Sequence, residues 1–134
     1  MPVALTRRGF LGAAALALLF QPGPVLAANL RDVSPEAAYE ALESDPSIVV
    51  LDIRTPSEFS RGHVEGAINI DYYADDFAER IADLDPKKTY VMYCQAGGRS
   101  HALMRAFSKT EFSNVMHIPA GFSGWRREGL PFVN

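Results

Sequence analysis

Apolar positions along this chain fall into two kinds of run, short continuous ones and longer spaced ones, and the two alternate. Ile48 to Ile53 is continuous apart from Asp52, the pattern of a strand covered on both faces. Thr89 to Tyr93 begins with a β-branched and an aromatic residue and predicts another strand, and Val115 to Ile118 a further one. Leu30 to Val33 and Ala67 to Ile70 are shorter candidates. Ser34-Pro35-Glu36-Ala37 reads as an N-cap, a proline at the first helical position and an acid in the first turn, opening a helix that stops before Pro46. Phe77, Ile81 and Leu84 recur at helical spacing within 72–84, which Pro86 closes, and Leu103 and Phe107 do so within 100–112. Pro56 to Ser60 predicts one helical turn, and Phe122 to Glu128 a final turn or helix. Strands alternating with helices imply an α/β domain with a mostly parallel central sheet and helices on both faces.

Residues 1–27 follow a different pattern. Arg7 and Arg8 are their charges; an uncharged apolar run from Phe10 to Phe20 follows, then Gln21-Pro22-Gly23-Pro24 and Val25-Leu26-Ala27. This is the layout of a secretory signal peptide, with the cut expected after Ala27. The apolar run falls short of the roughly 20 residues that span a bilayer, and Pro22 and Pro24 would interrupt its extension. Thr6-Arg7-Arg8-Gly9-Phe10-Leu11 resembles the twin-arginine motif, in which a receptor reads paired arginines ahead of an apolar stretch. That resemblance implies folding in the cytoplasm and then export to the periplasm or otherwise outside. The expected division is therefore a signal peptide over 1–27 and one domain over 28–134.

Length and charge narrow the function classes. A chain of 134 residues suits a single core. The formal charge is −3, and −5 once Arg7 and Arg8 are set aside, with no basic cluster. That balance disfavours nucleic acid or an anionic membrane as a partner of the exported domain. One cysteine leaves no intramolecular disulfide, and no Cys/His set has the spacing of a zinc site, so no metal ligands are assigned.

The chemistry concentrates at Tyr93-Cys94-Gln95-Ala96-Gly97-Gly98-Arg99-Ser100, which links a predicted buried strand to a predicted helix. In open α/β sheets ligands gather beyond the carboxyl ends of the strands, where this loop lies. Gly97 and Gly98 permit backbone angles that turn several N–H groups into one concavity. The helix start adds its positive dipole end, and Arg99 a full charge. A cysteine in such surroundings ionises readily, and the thiolate is the nucleophile. The bland alternative for a lone free cysteine, an inert core residue, does not explain the glycines, the strand end and the arginine together.

Cys94, four residues and then Arg99-Ser100 resembles the active loop of the rhodanese, or sulfurtransferase, domain. Leu51-Asp52-Ile53-Arg54-Thr55-Pro56-Ser57-Glu58-Phe59 and Gly62-His63-Val64-Glu65-Gly66-Ala67-Ile68-Asn69-Ile70 resemble two further family signatures. Ala120-Gly121 through Trp125, followed by Gly129-Leu130-Pro131, resembles its closing segment, so the likeness spans nearly all of 30–134. The resemblance implies a rhodanese-like fold and sulfur transfer through a Cys94 persulfide. Loop groups from Gln95, Ala96, Gly97, Gly98, Arg99 and Ser100 would bind the anionic sulfur, with no metal or organic cofactor. The implied partners are a sulfur-containing donor, such as thiosulfate or a persulfide, and a cyanide or thiol acceptor, with a protein persulfide partner as a further candidate. Phosphatases and arsenate reductases on related folds place five residues between Cys and Arg; the four here suit sulfur rather than a tetrahedral oxyanion. Positions 95–98 carry no charge, which weakens the case for thiosulfate against a less charged persulfide. A non-catalytic persulfide carrier with the same fold is the alternative function. A redox role in mixed disulfides is disfavoured by the lack of a second, resolving cysteine.

Asp52, Arg54, Glu58 and His63 read as a structural brace for the loops rather than as catalytic acids or bases. His101 could tune Cys94 or simply face solvent from the helix, and His117, in a predicted strand, suggests no specific role. Trp125 reads as a packing anchor. Tyr72 and Tyr73 could face the pocket from an opposite loop, and Asp75-Asp76 reads as an exposed first helical turn.

Overall fold

Alternation along the central strands sorts the core into two layers, one on each face of the sheet. The computed structural model describes residues 28–134; the signal peptide, its cut after Ala27 and the twin-arginine motif fall outside the described residues. In chain order the elements are β1 (Asn29–Asp32), α1 (Pro35–Ser44), β2 (Val49–Asp52), α2 (Pro56–Ser60), β3 (Ile68–Asn69), α3 (Phe77–Ala82), β4 (Thr89–Tyr93), α4 (Gly98–Phe107), β5 (Asn114–His117) and α5 (Gly121–Arg127). The sheet order is β1-β5-β4-β2-β3, and each neighbouring pair is parallel. An isolated antiparallel bridge joins His63 to Val133.

Tyr90, Met92 and Cys94 face one layer with Leu51, Ile53 and Val115, and Ile81 of α3 and Leu103 and Phe107 of α4 cover them. Val91 and Tyr93 face the other with Val50, Met116 and Ile118, under Ala38 of α1 and Phe122 and Trp125 of α5. Trp125 is buried and its Nε1 donates to the Pro131 carbonyl at 2.9 Å, so the anchoring role read from the sequence fits its position.

The strand order decides where the site falls. The chain leaving β2 returns to the sheet at β3 on one side, and the chain leaving β4 returns at β5 on the other. Adjacent strands whose connections diverge leave a crevice at their carboxyl ends, and Cys94 follows the last residue of β4 at that point.

Several elements are shorter than the sequence pattern implies. The helix expected over 72–84 begins at Phe77, because Asp71 Oδ1 accepts the Tyr73 N–H at 3.0 Å and holds the two tyrosines in a turn. The helix expected to reach Phe112 stops at Phe107, where Ser108 and Thr110 hydroxyls donate to the Arg105 and Phe107 carbonyls and take the place of further helical bonds. It also starts two residues early, at Gly98 rather than Ser100. Asp75 and Asp76 are exposed but precede α3 rather than forming its first turn: Asp76 is the N-cap, without a side-chain capping bond, and the acid of the first turn is Glu79.

Candidate active site

Cys94 lies at the bottom of a turn whose shape is set from two sides. Gly97 takes φ +99°, a conformation that favours glycine, and its N–H donates to Cys94 Sγ at 3.1 Å. From the other side, the start of α5 pins the loop: Phe122 N–H donates to the Cys94 carbonyl at 2.9 Å and Ser123 N–H to the Gln95 carbonyl at 3.1 Å. This close approach depends on Gly121, where a Cβ would fall 2.4 Å from the Gln95 oxygen. Gly98 differs from the expectation that both loop glycines supply unusual angles: it is the first residue of α4, and its φ is not positive.

Burial pushes the Cys94 thiol up, but the Ser100 hydroxyl and the backbone N–H groups of Ser100, Gly97 and Ala96 more than offset it, leaving the pKa below the ordinary thiol value. The fixed donors therefore favour negative charge on Sγ, and α4 directs the positive end of its dipole to the same place. Above the sulfur opens a pocket of about 450 Å³ lined by Tyr72, Tyr73, Cys94, Gln95, Ala96, Gly98 and Arg99. Gly97 and Ser100 are buried beneath it. Both tyrosines thus reach the pocket from the opposite loop, as the sequence suggested without a motif. Two other hollows, about 470 Å³ beside α1 and about 510 Å³ between α3 and α4, have neither Cys nor His in their walls among the described residues.

Arg99 departs from its expected role as an uncompensated positive charge. Its guanidinium forks onto Glu58, with Nη1 to Oε1 and Nη2 to Oε2 both 2.8 Å. Hydrogen bonding from Arg99 holds the Glu58 carboxyl down at about 2 against the effect of burial, and the same pair raises Arg99. The net charge offered to an anion is therefore smaller than Arg99 alone would supply, and the loop N–H groups carry more of the recognition.

The expected brace separates into distinct parts. Asp52 and Arg54 are buried and ion-paired, Nη2 to Oδ2 2.7 Å, and the guanidinium lies 4.2 Å from the Phe122 ring centre. Arg54 also donates to Gln95 Oε1 at 2.9 Å and to the Gly62 carbonyl at 2.7 Å. Gln95 in turn donates to Ser123 Oγ at 2.9 Å, so its side chain ties the loop to Arg54 and α5. Glu58 braces Arg99 rather than Asp52 and Arg54, because its place at N3 of α2, in a capping box with Thr55, aims it across the pocket. His63 stands apart from both pairs: its ring stacks on Phe59 at 3.6 Å and its Nδ1 lies 3.0 Å from the Phe59 carbonyl.

Two residues gain importance that the sequence did not suggest. His117 is buried with Nε2 2.6 Å from Ser100 Oγ, and Asp32 Oδ1 lies 2.9 Å from His117 Nδ1. The available signal was a histidine on the layer-facing side of an apolar strand, two residues after Val115. His101 is exposed, its ring centre 6.4 Å from that of His117.

Comparison with known proteins places this geometry in a family. The rhodanese-like domain family matches residues 34–128. The chain is 36% identical over 91 residues to Thiosulfate sulfurtransferase 16, chloroplastic, of Arabidopsis thaliana, covering 60% of this chain and 76% of that protein. It is 36% identical over 98 residues to Thiosulfate sulfurtransferase GlpE of Pseudomonas entomophila, covering 73% and 86% respectively. Among solved structures, a rhodanese-related protein from Thermoplasma volcanium superposes with a TM-score of 0.67 at 29% identity, over 77% of this chain and 97% of that one. With its α/β sheet, its loop after β4 and this match over most of its length, the chain belongs to the rhodanese-like domain family.

Proposed function

We propose that the protein is an exported sulfurtransferase that carries sulfane sulfur on Cys94 from thiosulfate or a persulfide donor to a cyanide or thiol acceptor. The observation that carries this reading is the Cys94 sulfur itself. It lies under an open pocket, 3.1 Å from the Gly97 N–H and 3.3 Å from Ser100 Oγ, at the start of α4. Family membership supports the same chemistry, and the Arabidopsis and Pseudomonas relatives bear the name thiosulfate sulfurtransferase.

In the first half-reaction the Cys94 thiolate attacks the outer sulfur of the donor. A new S–S bond forms at Sγ, the donor's S–S bond breaks, and its electron pair leaves with sulfite or a thiolate. The loop N–H groups hold negative charge on the transferred sulfur. In the second half-reaction the acceptor takes that outer sulfur, and the bonding pair returns to Sγ as the resting thiolate. Neither step requires a general base once Cys94 is ionised. The partial neutralisation of Arg99 by Glu58 favours a donor of modest charge, in line with the uncharged positions 95–98. Export rests on Arg7-Arg8 ahead of the apolar run from Phe10 to Phe20.

Steady-state thiocyanate production with cyanide as acceptor tests the catalytic half of the proposal, with thiosulfate and a low-molecular-weight persulfide compared as donors. Wild-type protein turns over with at least one donor, and Cys94→Ser abolishes it. Stoichiometric loading without turnover would instead indicate a persulfide carrier.

A further inference from the structure

A line of hydrogen bonds leaves Cys94 on the side away from the pocket. Ser100 Oγ lies 3.3 Å from Cys94 Sγ and 2.6 Å from His117 Nε2, and His117 Nδ1 lies 2.9 Å from Asp32 Oδ1. Ser100 and His117 are buried, whereas the Asp32 side chain, on edge strand β1, is 62% exposed. The line thus joins a buried thiol to a carboxylate in contact with solvent, and Asp32 is not part of the pocket wall.

We propose that Asp32, His117 and Ser100 form a proton relay that takes up the proton displaced from Cys94 and keeps its thiolate available at neutral pH. The inference rests on the reading of Cys94 as the sulfur-bearing nucleophile, and it makes His117 a positioning residue that acts through Ser100.

The proton positions follow from the partners. A carboxylate only accepts, so the His117 nitrogen facing Asp32 carries hydrogen, and in the neutral ring Nε2 is the free acceptor. The Ser100 hydroxyl has one proton and cannot serve His117, Cys94 and the Gly97 carbonyl, 3.2 Å away, at once. With His117 neutral, Ser100 donates to Nε2 and accepts from the Cys94 S–H. Ionisation moves two protons along this line. The S–H proton passes to Ser100 Oγ, and the hydroxyl's original proton passes to His117 Nε2. One S–H bond is lost, one N–H bond is gained, and no electrons leave the protein. The imidazolium then donates from Nε2 to Ser100 Oγ and from Nδ1 to Asp32, which turns the Ser100 O–H onto the thiolate beside the Gly97 N–H. Both protonation states use the same heavy-atom positions, so the exchange needs no rearrangement of the core.

The groups facing His117 set its charge from several elements. Asp32 on β1 and the Cys94 thiolate after β4 turn negative charge toward its ring, and exposed His101 on α4 lies 6.4 Å away, ring centre to ring centre.

The test is the pH dependence of Cys94 alkylation by iodoacetamide in the full chain, in wild type, His117→Asn and Asp32→Asn, each repeated with His101→Gln to separate the third charge. His117→Asn is expected to move the alkylation midpoint up by about one pH unit, which lowers the thiolate fraction about tenfold at pH values well below both midpoints. Asp32→Asn moves it in the same direction by a smaller amount, with about a two- to threefold loss. Side-chain nitrogen NMR should show hydrogen on both Nδ1 and Nε2 of His117 where Cys94 is ionised at neutral pH, and on Nδ1 alone at the same pH in Cys94→Ser. An unchanged midpoint in a natively folded His117→Asn protein, or His117 ring nitrogens whose hydrogens are the same in wild type and Cys94→Ser at neutral pH, would overturn the relay. Should His117→Asn fail to fold, Asp32→Asn on the exposed edge and the NMR arm decide the matter, and an unmoved result in both is equally fatal. Sulfur loading of wild type is measured separately: its failure removes the transfer reading and leaves the thiol titration to be judged alone.

Discussion

A Cβ on Gly97 would stand 2.2 Å from the Pro119 carbonyl oxygen, on a backbone already at φ +99°, whereas a Cβ on Gly98 meets nothing within 4 Å. Adjacent and identical in the sequence, the two glycines have different physical duties, and substitution separates them. Gly97→Ala is expected to lower stability by about 1–3 kcal/mol and to slow Cys94 alkylation, because the turn that aims its N–H at sulfur is lost. Gly98→Ala, at the first helical position, leaves stability unchanged or raises it by up to ~1 kcal/mol. Urea midpoints of the two variants check this, and equal losses would mean that the turn is not set by Gly97. At this scale Cys94 was legible from strand end, glycines and arginine. His117 and Asp32 were not, because their meeting depends on the pairing of β1 with β5, from positions 85 residues apart.

Elements carry the electrostatics of the site. Helix α2 is a single turn, yet its capping box fixes Thr55 and Glu58, and from there Glu58 reaches the first turn of α4 to grip Arg99. The carboxyl is held at about 2 in the folded protein, against roughly 4.3 in an unfolded chain. Its contribution is therefore complete above roughly pH 5 and fades as pH falls through 4 toward 2. Glu58→Gln keeps the capping-box acceptor but not the charge. Its stability deficit relative to wild type should be constant near neutrality and close progressively in acid, as read from urea midpoints across that range. A deficit that does not change with pH would point to packing rather than the ion pair. The strands β2, β4 and β5 were legible as continuous apolar runs because both faces of the sheet are covered. The ends of α3 and α4 were not, since hydroxyl and carboxylate bonds to nearby backbone groups outweigh helical periodicity there. The pairing of Arg99 with Glu58, 41 residues apart, likewise depends on tertiary placement rather than local pattern.

At the scale of the whole molecule, the sheet order places the β4 loop where connections diverge, and the buried Asp52–Arg54 pair ties that loop through Gln95 to the chain around Gly62. Truncating one partner of such a pair leaves the other charge buried and unpaired, so this region is best probed through the loop itself. The proposed twin-arginine route would deliver the domain already folded, with its lone thiol covered before it meets an oxidising compartment. Replacing Arg7 and Arg8 with Lys should then retain the protein in the cytoplasm, as fractionation would show, and undiminished export would contradict that route. The central claim, that Cys94 itself carries the sulfur, is tested most directly by intact-protein mass after incubation with a sulfane sulfur donor, wild type beside Cys94→Ser. The account predicts a gain of one sulfur atom in wild type alone, reversed by cyanide with release of thiocyanate. The same gain in Cys94→Ser, or none in wild type with either thiosulfate or a persulfide donor, would contradict it.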